Sequence, residues 1–160
     1  MLVPAIYKEE ELRRLFAKHL YDKDMFYYNG YPYCNTIPDL IPSEGVYKWA
    51  IVDQQNGDKV VGYLTYYVNN WCRSVQSFGL YSFERDNPII GIDTYKKMKE
   101  LIKNYHRIEW RMIGDNPVEK HYDNIIKRYK GYKVKLHDVV KDEEGNYHDE
   151  YIYEIVKSQS

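Results

Sequence analysis

The stretch Arg73–Ile113, RSVQSFGLYSF ERDN PIIGIDTYKKMKELIKN YH RIEWRMI, decides how the chain folds. Arg73 to Phe83 carries valine, phenylalanine and tyrosine without helical spacing and reads as a strand. In the next run Ile89, Ile92, Tyr95, Met98, Leu101 and Ile102 fall on one face of a helix ending near Asn104. Asn87 is placed to cap that helix, Pro88 suits its first turn, and Asp93 is a later candidate cap. Arg107 to Ile113 reads as a second strand. Strand, helix, strand in this order is a crossover, which sets the two strands parallel with a right-handed connection.

Upstream, Val46 to Asp53 alternates as a strand and Lys59 to Asn69 returns from it, with Asn56-Gly57 supplying a hairpin signal between them. Leu2 to Ile6, interrupted by Pro4, reads as an edge strand. Three acidic residues, Glu9 to Glu11, open a helix over Lys8–Leu20 whose apolar stripe includes Leu12, Leu15 and Phe16. Tyr21 to Gly45 is too long for an ordinary connection and has room for one short helix. Downstream come a turn at Gly114–Asn116, a helix from Pro117 to about Tyr129 stopped by Gly131, and two strands, Tyr132–Lys141 and Tyr147–Val156. The expected fold is α+β: a single mixed, mostly antiparallel sheet with helices on both faces, in one domain spanning residues 1–160.

Composition narrows the function. With 44% hydrophobic and 29% charged residues the chain is neither disordered nor low in complexity. A net charge of −1 argues against a dedicated nucleic-acid binder, and no apolar run approaches a membrane span. The acidic residues that follow Met1–Pro4 do not read as a signal-peptide core, so a cytoplasmic location is expected. Cys34 and Cys72 form no CxxC pair, and the five histidines show no metal-ligand spacing, so no metal is expected. Charge is segregated: residues 96–141 carry thirteen Lys/Arg against six Asp/Glu, whereas 142–160 carry one against six. The basic stretch reads either as solvated helix faces or as the footprint of a phosphate-bearing ligand.

The element order resembles the GNAT (N-acetyltransferase) superfamily over nearly the whole chain. KVVGYLTYYV resembles a family strand with Gly between apolar residues. WRMIGDNPVEKHY with GYKV resembles its strand, Asn, aromatic-bearing helix and Gly-aromatic, at Asn116, Tyr122, Gly131 and Tyr132. GNYHDEY resembles its last strand pair. The family holds acetyl-CoA through an Arg/Gln-x-x-Gly-x-Gly/Ala loop at a helix start. Here the passage is ERDNPIIGIDTYKK, in which only Gly91 survives, Ile89 and Ile90 are bulky, and Asp93 adds a negative charge near the anion site.

The resemblance implies acetyl-CoA as cosubstrate, with Phe83, Asn87, Ile90, Gly91, Ile92, Asn116 and Arg128 around it and Lys96 and Lys97 as further phosphate contacts. It implies direct transfer to an amine of a small molecule or peptide, in a cleft where the central strand splays from the next. Tyr122 takes the place of the general acid, and Glu84 is the first candidate base, with Glu109 behind it. Each has a plainer reading: Tyr122 as a packing tyrosine, the glutamates as surface ion pairs, Asn116 as a helix cap. Tyr27, Tyr28, Tyr31, Tyr33 and Trp71 are candidates to wall the acceptor pocket. The alternative is a catalytically inactive GNAT-fold binding or structural protein. Nucleic-acid association through 96–141 is the weakest reading, and a homodimer is left open.

Overall fold

A computed structural model describes residues 1–29 and 36–157. Tyr31, Tyr33 and Cys34 lie outside the described residues. The strands are β1 (Leu2–Pro4), β2 (Val46–Asp53), β3 (Lys59–Asn69), β4 (Ser74–Ser82), β5 (Arg107–Ile113), β6 (Tyr132–Lys141) and β7 (Tyr147–Val156). They form one sheet in the order β1-β2-β3-β4-β5-β7-β6. The helices are α1 (Glu9–His19), α2 (Asp24–Asn29), α3 (Pro88–Asn104) and α4 (Glu119–Tyr129).

Alternation along the strands gives the sheet two apolar faces, and each is covered. Ile90, Met98 and Leu101 of α3, with Tyr122 and Ile126 of α4, pack on Leu64, Trp110 and Tyr153. Leu12 and Phe16 of α1, with Met25 of α2, pack on Ala50, Val52, Tyr63 and Tyr81. Leu12 and Phe16 are both 0% exposed, and burial of such side chains stabilises by about 1.5–3 kcal/mol each. The sheet is therefore mixed with helices on both faces, as the sequence predicts.

The crossover forms as expected, but its strands meet only briefly. β4 and β5 pair in parallel at Ser74–Arg107 and Val75–Ile108 alone. Directly afterwards the β3–β4 register skips: Tyr67 opposes Gln76 and Thr65 opposes Gly79, so Ser77 and Phe78 together face Tyr66. Ser77 takes a left-handed φ of 54°. Such a bulge bends its strand and increases the local twist. β5 meanwhile stays paired with β7 along its whole length, from Arg107–Val156 to Ile113–Glu150.

Three element ends differ from the sequence reading. β1 stops at Pro4 and a 3-10 turn, Ala5–Lys8, leads into α1. α4 begins at Glu119, because the Asn116 side chain accepts the Val118 amide at 3.1 Å and holds a turn first. Lys130, not Gly131, takes the left-handed position after α4, at φ 52°. Gly131 is needed for closeness instead: a Cβ there would stand 2.5 Å from the Glu154 carbonyl oxygen and 2.9 Å from Ile126 and Ile155 side-chain carbons. Gly131→Ala should therefore destabilise the protein by about 1–3 kcal/mol through overpacking. Urea denaturation checks this, and an unchanged midpoint would contradict the close contact.

Candidate active site

Beyond Val75 and Ile108 the facing edges of β4 and β5 diverge, leaving a slot that opens at their C-terminal ends. Its mouth lies between the segment 83–87 that leads into α3 and the turn 114–118 that leads into α4. α3 and α4 flank one face of the slot, and α2 lies on the other.

The start of α3 is closed on itself. Asn87 Oδ1 accepts the Ile89 amide at 3.0 Å, the Asn87 carbonyl accepts the Ile90 amide at 3.2 Å, and Pro88 has no amide to offer. Two donors that a helix end could aim at an anion are thus already used. Gly91 faces open space, with nothing within 4 Å of a Cβ built on it. Ile90 is buried against the sheet. Ile92 and Asp93 turn to the far flank of α3, where they line a cavity of about 580 Å³ with Leu2, Val52 and Gln54. That cavity is away from the slot. Asp93 pairs there with the Met1 ammonium, so its charge does not oppose an anion on the other flank.

Glu84 and Phe83 also point away from the slot. Glu84 pairs with Lys59 of β3 and accepts from Asn87 Nδ2 at 3.0 Å. β3 is the neighbour of β4 opposite β5, so this carboxylate leans away from the slot. Lys59, and then Asn87, hold it below the usual carboxylate range, which makes it a weaker base. Phe83 packs on Phe16 of α1 at 4.9 Å between ring centroids, within the opposite core. Glu109 is engaged by Arg107. Trp71 is 94% exposed in the β3–β4 turn, at the paired end of β4 and β5, so it walls no part of the mouth.

Other expected residues gather near the α3–α4 face. Arg128 donates to the Tyr95 hydroxyl at 2.5 Å and lies 5.8 Å from the centre of its ring, as does Lys99. Tyr95 and Lys99 stand one and two turns beyond Gly91 on α3, a spacing visible in the sequence but not singled out from it. Lys96 and Lys97, by contrast, pair with Asp93 at 3.8 Å and Glu100 at 2.7 Å. Tyr122 is buried against Trp110 and Tyr153, with ring separations of 5.5 and 5.8 Å. Burial pushes its phenol up to about 12, so it stays protonated at neutral pH. Beside it the Trp110 indole N–H is buried without a hydrogen-bond partner, a donor that a ligand oxygen could satisfy. Asn116 opens the turn before α4, as its plainer reading has it.

Across the mouth, His148 of β7 lies between Asp142 and Asp115, under Phe26 of α2. The sequence offered GNYHDEY only as a strand signal. These groups meet because the β6–β7 turn and the β5–α4 turn lie at one end of the sheet.

Solved structures share this fold. An N-acetyltransferase from Staphylococcus aureus Mu50 superposes with a TM-score of 0.67, at 12% identity over 98% of this chain and 97% of that one. A probable GNAT-family acetyltransferase from Chromobacterium violaceum gives 0.63, at 15% identity over 98% and 85%. The spermidine/spermine N-acetyltransferase of Vibrio cholerae gives 0.55, at 16% identity over 92% and 74%. This chain has the GNAT fold. Against one further probable acetyltransferase, at a TM-score of 0.53 and 13% identity, it spans 63% of that protein's length. No family model and no curated protein matches the sequence. Among the described residues no helix is long and apolar enough to cross a membrane, and no group of three or more His, Cys, Asp or Glu is placed to hold a metal ion.

Because the Asn87 side chain caps α3, Asn87→Ala should cost about 0.5–2 kcal/mol of stability while Asn87→Ser, which keeps an acceptor without setting a second carboxylate against Glu84, costs less. Chemical denaturation of the two variants checks this. Equal losses would mean that the cap contributes nothing.

Proposed function

We propose that this GNAT-fold chain is an acyltransferase that moves an acetyl group from acetyl-CoA to a primary amine by direct transfer, with the slot as the seat of reaction. The parting of β4 from β5 carries this reading. It leaves facing backbone groups without strand partners, and an extended, amide-bearing chain can satisfy them as an added strand would. Gly91 leaves room beside the slot, and the Lys99–Tyr95–Arg128 group supplies an aromatic surface with two cations for a nucleotide carrying phosphates.

In that pose the acceptor amine attacks the thioester carbonyl, a C–N bond forms, the C–S bond breaks, and the amine proton passes to water. Tyr122, held protonated by burial, donates a hydrogen bond to the departing thiolate. A phenol near 12 is less acidic than a thiol near ~8.5, so its part is to stabilise sulfur charge more than to surrender its proton. Trp110, with its free indole N–H, lies beside the same group. Glu84 is not assigned the proton, because Lys59 and Asn87 engage it on the β3 side. Instead it steadies the cap of α3.

One observation favours the rival reading, a GNAT-fold binding protein without cofactor affinity: Asn87 already occupies the first amides of α3. Acetyl-CoA at about a hundredfold excess over its dissociation constant should stabilise a binding-competent protein by about 2.7 kcal/mol. Tm should then rise by roughly 5–10 °C. No shift at millimolar ligand would decide for the rival. Tyr122→Phe should keep that shift. It should slow thiol release from acetyl-CoA, assayed with a panel of primary amines including spermidine, by about 10- to 100-fold. Arg128→Ala should shrink the shift itself.

A further inference from the structure

α2 crosses the slot on the face opposite α3 and α4. At one end Tyr28 packs on Tyr81 of β4 with 5.6 Å between rings, and it lies over Gly79, whose absent Cβ would sit 3.5 Å from the Tyr28 ring. Toward the other end Phe26 meets His148 of β7 at 5.2 Å. β5 stands between β4 and β7 in the sheet, so a helix touching both spans the opening. Two ion pairs tie it down: Arg85, from the β4–α3 segment, donates to Asp24 at 2.9 Å, and Lys23 reaches Glu144 of the β6–β7 turn at 3.5 Å.

The His148 ring is bracketed by acids. Its Nε2 is 2.9 Å from Asp142 and its Nδ1 is 3.4 Å from Asp115. Nε2 makes the hydrogen bond to Asp142, while Nδ1 has no hydrogen-bond partner and meets Asp115 only as an ion pair, so the two carboxylates favour the cation through their charge. A cation also attracts the face of the Phe26 ring, whereas the neutral imidazole does not. The groups against it are Phe26 from α2, Asp115 from the β5–α4 turn and Asp142 from the β6–β7 turn.

We propose that α2 is a lid over the acceptor side of the slot, latched on the protonated His148 imidazole, and that it loosens when His148 loses its proton. The proposal rests on the reading of the slot as the site of transfer, since a lid matters where something enters. On deprotonation the ring no longer offsets the Asp115 and Asp142 charges on either side of it, and Phe26 loses its cation. Lys23 and Arg85 remain, so the lid loosens rather than detaches.

The direction of the pH effect follows. The bond to Asp142 comes first among the causes, and together with Asp115 it outweighs burial to raise His148 above its ordinary 6.5. The latch is therefore complete below 6.5 and is lost as pH rises through the raised value. Burial, then Asp115, Asp24 and Asp142, raises Tyr27, so that phenol stays neutral and does not compete over the same range.

Hydrogen exchange read by mass spectrometry on the peptide covering 22–29 tests this in the protein without ligand. After correction for intrinsic rates, protection should fall about three- to tenfold between about pH 5.5 and about pH 9. In His148→Gln it should be low and flat. Phe26→Leu, which leaves the imidazole and both carboxylates in place, should lose most of the protection at low pH and carries the test should the first variant misfold. Equal protection at both pH values, or the same fall in His148→Gln, would overturn the latch. Exchange over α3 and α4 with and without acetyl-CoA is read in parallel. No change there counts against the transferase reading and leaves the lid result standing.

Discussion

The two-pair contact between β4 and β5 is the constraint on which the rest of the molecule depends. A sheet normally satisfies its backbone polar groups by pairing every strand along its length. Here the extra residue at Ser77–Phe78 bends β4 just after Val75 and ends the pairing. β1 to β4 then form one leaf and β5, β7 and β6 another, joined at a short hinge of parallel strand. The split decides where helices can sit, because α3 must leave the end of the first leaf and return to start the second. It also leaves, among the described residues, an inner strand edge without a partner between the two leaves.

The two leaves are held differently. The first is closed by aromatic and aliphatic burial, with Phe16 ringed by Tyr28, Tyr63, Tyr81 and Phe83. In the second, charge complements packing. Acidic β7 lies between β5 and β6, both richer in bases. Arg107 reaches Glu154 at 2.5 Å, Arg111 reaches Glu150 at 3.2 Å, and Lys135 reaches Asp149 at 2.6 Å. Six of the thirteen bases of 96–141, namely Lys96, Lys97, Arg107, Arg111, Lys133 and Lys135, pair with acids among the described residues, so part of the basic stretch is spent on structure. Lys99 and Arg128 are not among the paired bases and share the Tyr95 ring instead.

The order of elements was legible because each signal is local: the helical spacing from Ile89 to Ile102, the Asn-Gly of a hairpin, the Asn87 cap. The slot was legible only through a resemblance. The bulge that makes it rests on Ser77, a residue type with no preference for a left-handed φ, and so leaves no mark in the sequence. Glu84 shows the second limit. Its place at the end of the central strand is readable, but the direction of its carboxylate depends on Lys59 being across one neighbour and not the other, which only strand order reveals. His148 shows the third: Asp115, Asp142 and Phe26 come from separate turns and a short helix, and no spacing links them. From the sequence Gly131 reads as a helix stop, yet what requires it is contact with β7.

The self-capped start of α3 bears on how a phosphate-bearing ligand would be held. Helix amides are fixed dipoles, so an anion resting on them costs little ordering of the protein. Lysine and arginine on long stems lose rotamer freedom when they close on a ligand, and their attraction is screened by salt. Arg128 offsets part of that cost because its bond to the Tyr95 hydroxyl and its position beside the ring already restrain it. Lys99, sharing the same ring, is brought close without being paired to an acid. A fold that has given up its amide cradle can thus keep an anion site by preordering cations on an aromatic platform, with the Gly91 opening leaving the approach clear.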